Sequence, residues 1–243
     1  TPHGQVDIKI VQRSSRARTL VSEMMILCNS LLAELCMTAG IPSVYRVQEH
    51  ADLSDASIEP RTSAERALWR HRVTKSLNAA ILSDKPQKHW GLGLSPYLQA
   101  TSPLRRYSDL VMQRQIAHFV SHGKILYPRG AVSEVMQDAE IQTREMARLE
   151  QSRRRYWFLK YLHQSRFEAP EPSRQSTCFK AFVLENEPGR LAVLELADFP
   201  FRVRARLTPY HEPGDTVTLK LQGVDLWRRI GHFEQASNSA GVK

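Results

Sequence analysis

The feature that most limits how this chain can fold is a change of hydrophobic period at Ala169-Pro170-Glu171-Pro172-Ser173. Before it, apolar residues recur every three or four positions, which places them on one face of a helix. Beyond it they alternate, which places them on one face of a strand. Two prolines stiffen the junction and remove backbone donors, so neither pattern runs through it. The chain is therefore expected to be α+β: a mainly helical part over residues 1–168, a linker over 169–173, and a small all-β barrel of the OB type over 174–235. Residues 236–243 read as a disordered tail.

Within the helical part, Leu20, Met24, Leu27, Leu31 and Leu35 keep helical spacing between Ser15 and Ala39, with Val21, Cys28 and Leu32 beside them and Gly40 as a stop. This predicts a well-buried helix. Ile41 to Val47 reads as a short strand. After a polar loop over 52–60, Thr62 and Glu65 have capping-box spacing, at the head of a helix running to about Leu82 that would form a second helical hairpin. Ser102 and Pro103 read as the N-cap and first turn of a helix to about Ser121, closed by Gly123. Val132 to Ser165 is a long, charged helical stretch whose aromatic end, Tyr156 to Leu162, is expected to pack back on the other helices. At the start, Val6, Ile8 and Ile10 alternate and read as a strand entered midway, as in a fragment of a longer protein. In the second part, Cys178–Leu184, Leu191–Leu196, Phe199–Leu207 and Thr216–Val224 predict four or five strands.

The net charge of +9 is unevenly placed, with 24 basic and 16 acidic residues over 1–168 against 10 and 9 over 169–243. A basic domain attracts a polyanion, and nucleic acid is the usual one; a merely soluble basic surface is the alternative. Cys28, Cys36 and Cys178 form no CxxC pair and are expected to be buried, reduced thiols, hence a cytoplasmic protein. No uninterrupted apolar stretch approaches the length that spans a bilayer and no signal peptide opens the chain, so no membrane partner is expected. No HExxH, GxSxG, P-loop or GxGxxG motif is present. Asp52, Asp55 and Glu59 form the nearest acidic group; in a loop, such residues are solvated or act as caps, and no metal ligand is assigned.

The densest chemistry lies between Tyr97 and Asp109. With Ser102 as cap, the amides of Leu104, Arg105 and Arg106 would point toward the entering loop as an anion site. Cations are unfavourable at a helix N-terminus unless an anion is present, so Arg105 and Arg106 suggest a phosphate there. The alternative is two solvated arginines, one paired with Asp109 across one turn.

Thr101-Ser-Pro-Leu-Arg-Arg-Tyr-Ser-Asp-Leu110 resembles the TSPxRRYxDL signature of the ribonuclease II and ribonuclease R (RNB) family. In the same order, Glu23-Met-Met-Ile-Leu-Cys-Asn29 resembles that family's E-x-M-x-x-x-N helix and Tyr45-Arg46 its following strand. Glu150, ahead of Tyr156-Trp157, resembles an acidic residue of its last catalytic-domain helix. The closing barrel matches the OB module that follows. The resemblance implies the C-terminal part of a processive 3′→5′ exoribonuclease that hydrolyses single-stranded RNA to nucleoside 5′-monophosphates.

By the same resemblance, Arg105 would be catalytic, stabilising charge on the scissile phosphate, with Thr101, Ser102 and Arg106 holding neighbouring phosphates. Glu23 would contact the sugar near the 3′ end, Asn29 on the same helix would also bind RNA, and Glu150 would line the site near the terminal nucleotide. Tyr97 and Tyr107 could pack on the channel or the RNA, although Tyr107 also lies on an apolar helix face. Arg114 matches a family arginine, whereas Gln99, Ala100 and Gln113 depart from the pattern around it. The family's Mg2+ is held by aspartates that this sequence does not match, so they are expected upstream of Thr1, with no metal bound by this fragment and no hydrolysis by it alone. A non-catalytic RNA-binding member of the family is the second reading. A monomer is expected. On the barrel, Arg202, Arg204 and Arg206 share one strand face opposite Phe201, Val203 and Ala205, as either an RNA-tracking surface or a solvated face. Arg153-Arg154-Arg155 leaves the same two alternatives open.

Overall fold

The computed structural model describes residues 4–9, 11, 15–54 and 60–236. Of the expected tail over 236–243, residues 237–243 lie outside those residues, as do Ile10, Asp55 and Glu59, while Ala236 is held by its amide, which donates to the Thr218 carbonyl at 2.9 Å. Among the described residues the chain is α+β: α1 (Arg16–Thr38), β1 (Tyr45–Val47), α2 (Ser63–Ser76), β2 (Ile81–Ser83), α3 (Tyr107–His122), α4 (Arg129–His163), β3 (Cys178–Glu187), β4 (Leu191–Leu196), β5 (Arg202–Arg206), β6 (Thr216–Asp225) and β7 (Ile230–Gln235). Two compact units form, and they are not consecutive in sequence. One gathers Ile10–Asp52 and Leu77–Arg148; the other gathers Thr1–Lys9, Leu53–Ser76 and Leu149–Lys243.

In the helical unit, α1 begins where Ser15 accepts the Arg18 amide and ends before Gly40, which takes a left-handed φ of 65°. Its one engaged face buries Asn29, Ala33 and Cys36. Ala33 and Cys36 meet Ile41, Val44, Tyr45, Val47, Leu98, Met112, Ile116 and Val132 in a single core. The expected leucine stripe does not join it. Leu20, Met24, Leu27, Leu31 and Leu35 stand 38% to 64% exposed, because nothing among the described residues covers that side. Cys28 and Cys178 are likewise exposed, and only Cys36 is buried, where desolvation pushes its thiol pKa up. By length and composition α1 is also apolar enough to cross a membrane, although polar residues interrupt its apolar run as the sequence reading stated.

Three further expectations are corrected. Residues 4–9 form no strand. The helix headed by the Thr62–Glu65 capping box exists, with both reciprocal bonds made at 3.1 Å, but it stops at Ser76. The following Ile81–Ser83 pairs antiparallel with β1, so there is no second helical hairpin. Its short apolar run suits a strand better than a helix end.

The barrel unit has strand order β5-β4-β3-β6-β7, all antiparallel. Its outer strands come close enough for the Thr208 amide to reach the Gln235 side chain at 2.7 Å, so the barrel is nearly closed in the OB manner. The strand β7, which the alternation does not mark clearly, completes it. Strand bulges at Val183/Glu185 and Leu221/Gly223 bend the long strands. The aromatic end of α4 packs here rather than on the other helices. Leu159 and Leu162 are fully buried with Phe179, Leu194, Leu219 and Phe233, and Phe158 and Tyr161 pack at the edge. Gly231 makes the approach possible: a Cβ there would come within 2.8 Å of the Phe233 ring and 3.1 Å of Leu159. Across the barrel exterior, Ala67 of α2 packs on Phe182 and Leu184. Arg70 pairs with the buried Glu195, and His71 and Lys75 bond Glu185 at 3.2 and 2.6 Å.

Because α4 closes the barrel core, Leu159→Ala should destabilise as much as a strand substitution such as Leu194→Ala, by about 2–5 kcal/mol each. Urea unfolding followed by tryptophan emission measures both. A Leu159→Ala loss below about 1 kcal/mol would mean that the helix end only rests on the barrel surface.

Candidate nucleic-acid interface

The segment from Tyr97 to Asp109 belongs to the helical unit, and its shape is set by side chains that accept and donate around it. Its first residues run beside β1, the Arg46 amide donating to the Tyr97 carbonyl at 2.8 Å. Leu98 and Ala100 are buried in the core. Asn29, buried on α1, accepts the Ala100 amide at 3.0 Å and donates to the Tyr97 and Thr101 hydroxyls at 3.2 Å each. Gln113 on α3 donates to the Ala100 carbonyl at 2.6 Å. Asp109, with no solvent exposure, accepts the Ser102 amide at 2.9 Å and an Arg106 Nη2 at 2.7 Å. Thus every turn of the segment is tied to α1, β1 or α3.

The helix that follows begins later than its sequence suggests. Ser102 is not the cap: its carbonyl accepts the amides of Arg105 and Arg106 at 3.2 and 3.1 Å, which closes a turn ahead of α3. Arg106 is the N-cap residue and makes no side-chain capping bond. The amides of Arg105 and Arg106 are therefore already used, and the free amides of the helix begin at Tyr107. The Ser-Pro pair specifies a turn here because the buried Asp109 takes the Ser102 amide and draws the chain back on itself.

The electrostatics follow from this brace. Arg106 is the single charge-bearing partner bonded to Asp109, an i,i+3 ion pair that the sequence left as one alternative. One Asp109 oxygen and the Arg106 Nε are buried without a partner among the described residues. Arg46 is half-buried nearby, its pKa lowered by burial and then by the Arg106 charge, while Glu140, Tyr97 and Asp109 act in the opposite sense. Arg105 is exposed and makes no ion pair among the described residues. The Arg46 and Arg106 charges thus oppose one another, and Arg105, adjacent to Arg106 in the chain, is exposed, a set of charges that suits an anion with several oxygens. His89 borders it, edge-on to Tyr97 with ring centroids 5.5 Å apart. Burial, then the Arg46 charge, lower its pKa.

Of the residues singled out from sequence, Asn29, Tyr97, Thr101, Ser102 and Arg106 are brought together. Tyr97 is buried with its hydroxyl on Asn29, so it supports the loop from below. Tyr107 is 59% exposed, so the core-packing alternative for it does not hold. Glu23 is exposed on α1. Arg114 lies over the Tyr127 ring at 5.9 Å. Glu150 pairs with Arg154 on α4, and Arg202, Arg204 and Arg206 share the outer face of β5 as the alternation predicts, all in the barrel unit. Arg204 is bonded to Glu187 at 3.1 Å and Arg202 lies 3.9 Å from Glu195, so two of the three carry a local counter-charge. Arg46 and Gln113 were not assigned roles from sequence, and Asp109 was read only as a possible partner of one arginine. Asp109 and Gln113 stand four apart, a polar pair facing one way on α3, and that spacing was the available signal. Among the described residues no three His, Cys, Asp or Glu side chains converge as metal ligands, so the residues present do not fit a Mg2+ site.

Residues 2–122 match the family model for the RNB domain. An uncharacterized ribonuclease of Synechocystis is 28% identical over 231 residues, covering 93% of this chain and 33% of that protein. The chloroplastic/mitochondrial ribonuclease II of Arabidopsis thaliana is 26% identical over 223 residues, covering 91% and 26%. The chain thus spans a third or less of these curated relatives. Among solved structures, an active-site mutant of the Dss1 exoribonuclease from Candida glabrata superposes with a TM-score of 0.80 at 19% identity, over 93% of this chain and 29% of that one. RNase R of Mycoplasma genitalium, in complex with ribose-methylated single-stranded RNA, gives 0.73 at 15% identity, over 92% and 42%. These two likenesses show a shared fold.

Two outcomes check the brace. Asp109→Ala, which strips the partner from Arg106 and the Ser102 amide, should cost about 3–5 kcal/mol, whereas exposed Arg105→Ala should cost no more than about 0.5 kcal/mol. Equal small losses in urea unfolding would show that the carboxylate does not organise the turn. For His89, the folded state binds a proton less tightly than the unfolded chain, so its contribution is fully present above the ordinary value of 6.5 and drains as pH falls below it. Stability measured from pH 7 to pH 5 should therefore fall less steeply in His89→Gln than in the natural sequence; identical slopes would contradict this.

Proposed function

We propose, on the premise that this chain belongs to the RNB family, that it forms the phosphate-holding part of a 3′→5′ exoribonuclease acting on single-stranded RNA. The observation that carries this reading is the Asp109-braced turn, which leaves Arg105 exposed next to Arg106, with Arg46 close enough to Arg106 for their charges to interact. A guanidinium there can reach two oxygens of one phosphate, and the backbone that carries it is braced before the substrate arrives. Arg105, with no ion pair to break, is the group free to follow charge as it builds on the scissile phosphate. Arg106 and Arg46 supply a fixed positive field, and the hydroxyls of Thr101 and Ser102 can donate to neighbouring phosphates. Glu23 contacts the terminal sugar and Glu150 the last nucleotide in this proposal, while Tyr107 lies against the RNA.

Hydrolysis in this reading is processive and releases nucleoside 5′-monophosphates. Mg2+, if held by residues of the intact protein upstream of residue 1, would supply polarisation of the phosphate and activation of water, while this chain's Arg105, Arg106 and Arg46 hold the phosphate. The bare apolar stripe of α1 supports such a missing part, since a stripe that size is ordinarily covered. The same proposal includes a cytoplasmic monomer without a membrane partner. A second reading, a non-catalytic RNA-binding member of the family, is favoured by one observation: no convergent acidic set exists among the described residues.

The chain alone should leave a 5′-labelled oligoribonucleotide intact in the presence of Mg2+. Joined to the upstream part of its domain, it should shorten the RNA stepwise from the 3′ end. In that active form, Arg105→Lys should lower the single-turnover rate about 10²-fold to 10³-fold, because lysine keeps the charge and loses the bidentate reach. The dissociation constant should change little, since many other contacts hold the backbone. Metal-dependent cleavage by the chain alone would overturn the division of labour. A near-normal rate with weakened binding would make Arg105 a phosphate anchor, and an extended protein that binds RNA without cutting it would favour the second reading.

A further inference from the structure

The turn that joins β6 to β7 holds the most exposed tryptophan of the barrel. Leu226, its first residue, packs against the barrel core, and the next side chain, Trp227, is 92% exposed. Indole is among the largest apolar groups a protein can bury, and a turn that served only to reverse the chain would place a small polar residue there. The turn is also held rigid. The Asp225 carboxylate accepts the Arg228 amide at 2.9 Å, and Arg229 takes a left-handed φ of 58°. Arg229 is in turn clasped by α4 of the same unit: its Nη1 donates to the Ser152 hydroxyl at 2.6 Å, and its carbonyl accepts Arg155 Nε at 2.6 Å.

This clasp gathers positive charge. Arg155 lies over the Phe201 ring at 5.2 Å, and its pKa is lowered by burial and by the nearby Arg204. Arg228 is 76% exposed. The acids at hand are few and already engaged: Asp225 lies 3.9 Å from Arg228, Glu187 bonds Arg204, and Glu150 bonds Arg154. A rigid, outward aromatic face set among arginines has the chemistry that holds single-stranded nucleic acid, one base stacked on the ring and the flanking phosphates on the guanidinium groups.

We infer that Trp227, followed by Arg228 and presented by the β6–β7 turn that Arg155 and Arg229 clasp, is a base-stacking platform that grips single-stranded RNA on the barrel. The inference rests on the RNA reading proposed above and adds a contact that reads the base face rather than the phosphate. Because every base has such a face, the contact tolerates any sequence. It is lost when the base is absent.

Binding of the whole chain to a fluorescent oligouridylate, and to a ribose-phosphate oligomer of the same length without bases, tests it. The natural chain should bind the oligouridylate more tightly, with quenching of tryptophan emission. Trp227→Ala should weaken oligouridylate binding about tenfold, within the range that stacking of one base supplies. It should leave binding of the base-free oligomer unchanged and abolish most of the quench. Trp227→Phe, which keeps an aromatic face, should recover most of the affinity. Trp227 is exposed, so both variants should keep the circular dichroism and unfolding midpoint of the natural chain. If Trp227→Ala binds oligouridylate as well as the natural chain does, the platform is refuted while the RNA reading stands. If the natural chain binds neither oligomer even at low salt, both fail. If the substitution instead removes self-association and spares RNA binding, the turn is a contact for a second copy and the inference is overturned.

Discussion

Burying the Asp109 carboxylate at the head of α3 costs solvation energy that is offset only by what it bonds, and its bonds run to the Ser102 amide and the Arg106 guanidinium. With one end of the segment held in that way, the other end is held by Asn29 and Gln113 around Ala100. The chain between has little freedom left. It must turn at Pro103, and it must leave Arg105 outside while Arg106 folds back. The functional proposal depends on this division between a spent arginine and a free one. It follows from which of the two can reach a fixed carboxylate.

The same logic of partners explains α1. One face of this helix is polar enough at Asn29 to bond the loop and small enough at Ala33 and Cys36 to pack closely on the core. The opposite side carries its leucines and methionines uncovered. A helical period in a sequence reports that a face is built for burial, but it does not report what buries it. That is why the stripe was expected in the core and stands outside it here. In the barrel, by contrast, strands and the end of α4 close on one another, and the periodicities predict burial correctly.

Much of the fold was legible for that reason. The change at Ala169–Ser173 marked the end of the helical pattern, β4 was bounded to the residue, and the Thr62–Glu65 box capped its helix as read. Misreadings fell where a tertiary bond overrides a local signal. Ser102-Pro103 has the composition of a helix start, yet a buried acid seven residues ahead makes it a turn. Ile81–Ser83 continues an apolar pattern, yet it pairs with β1. At the site, the TSPLRRYSD segment was read as a phosphate-binding motif, and the structure brings Thr101, Ser102 and Arg106 together with Asn29 and Tyr97. Arg46 was not read as part of it, because a lone arginine on a three-residue strand carries no periodic signal. Gln113 was read as a departure, and its bond to the Ala100 carbonyl shows what a glutamine contributes there.

The central claim is that the loop carrying Arg105 is rigid before any substrate binds, and amide hydrogen exchange measures this directly. The amides of Ala100 and Ser102 bond to side chains rather than to a strand or a helix, so their protection reports the brace alone. Both should exchange as slowly as amides in the middle of α3, and Asn29→Ala should release Ala100 selectively. Exchange of these two amides in the natural chain at the rate of an unstructured loop would contradict the account, because the arginine would then be ordered only by the substrate it meets.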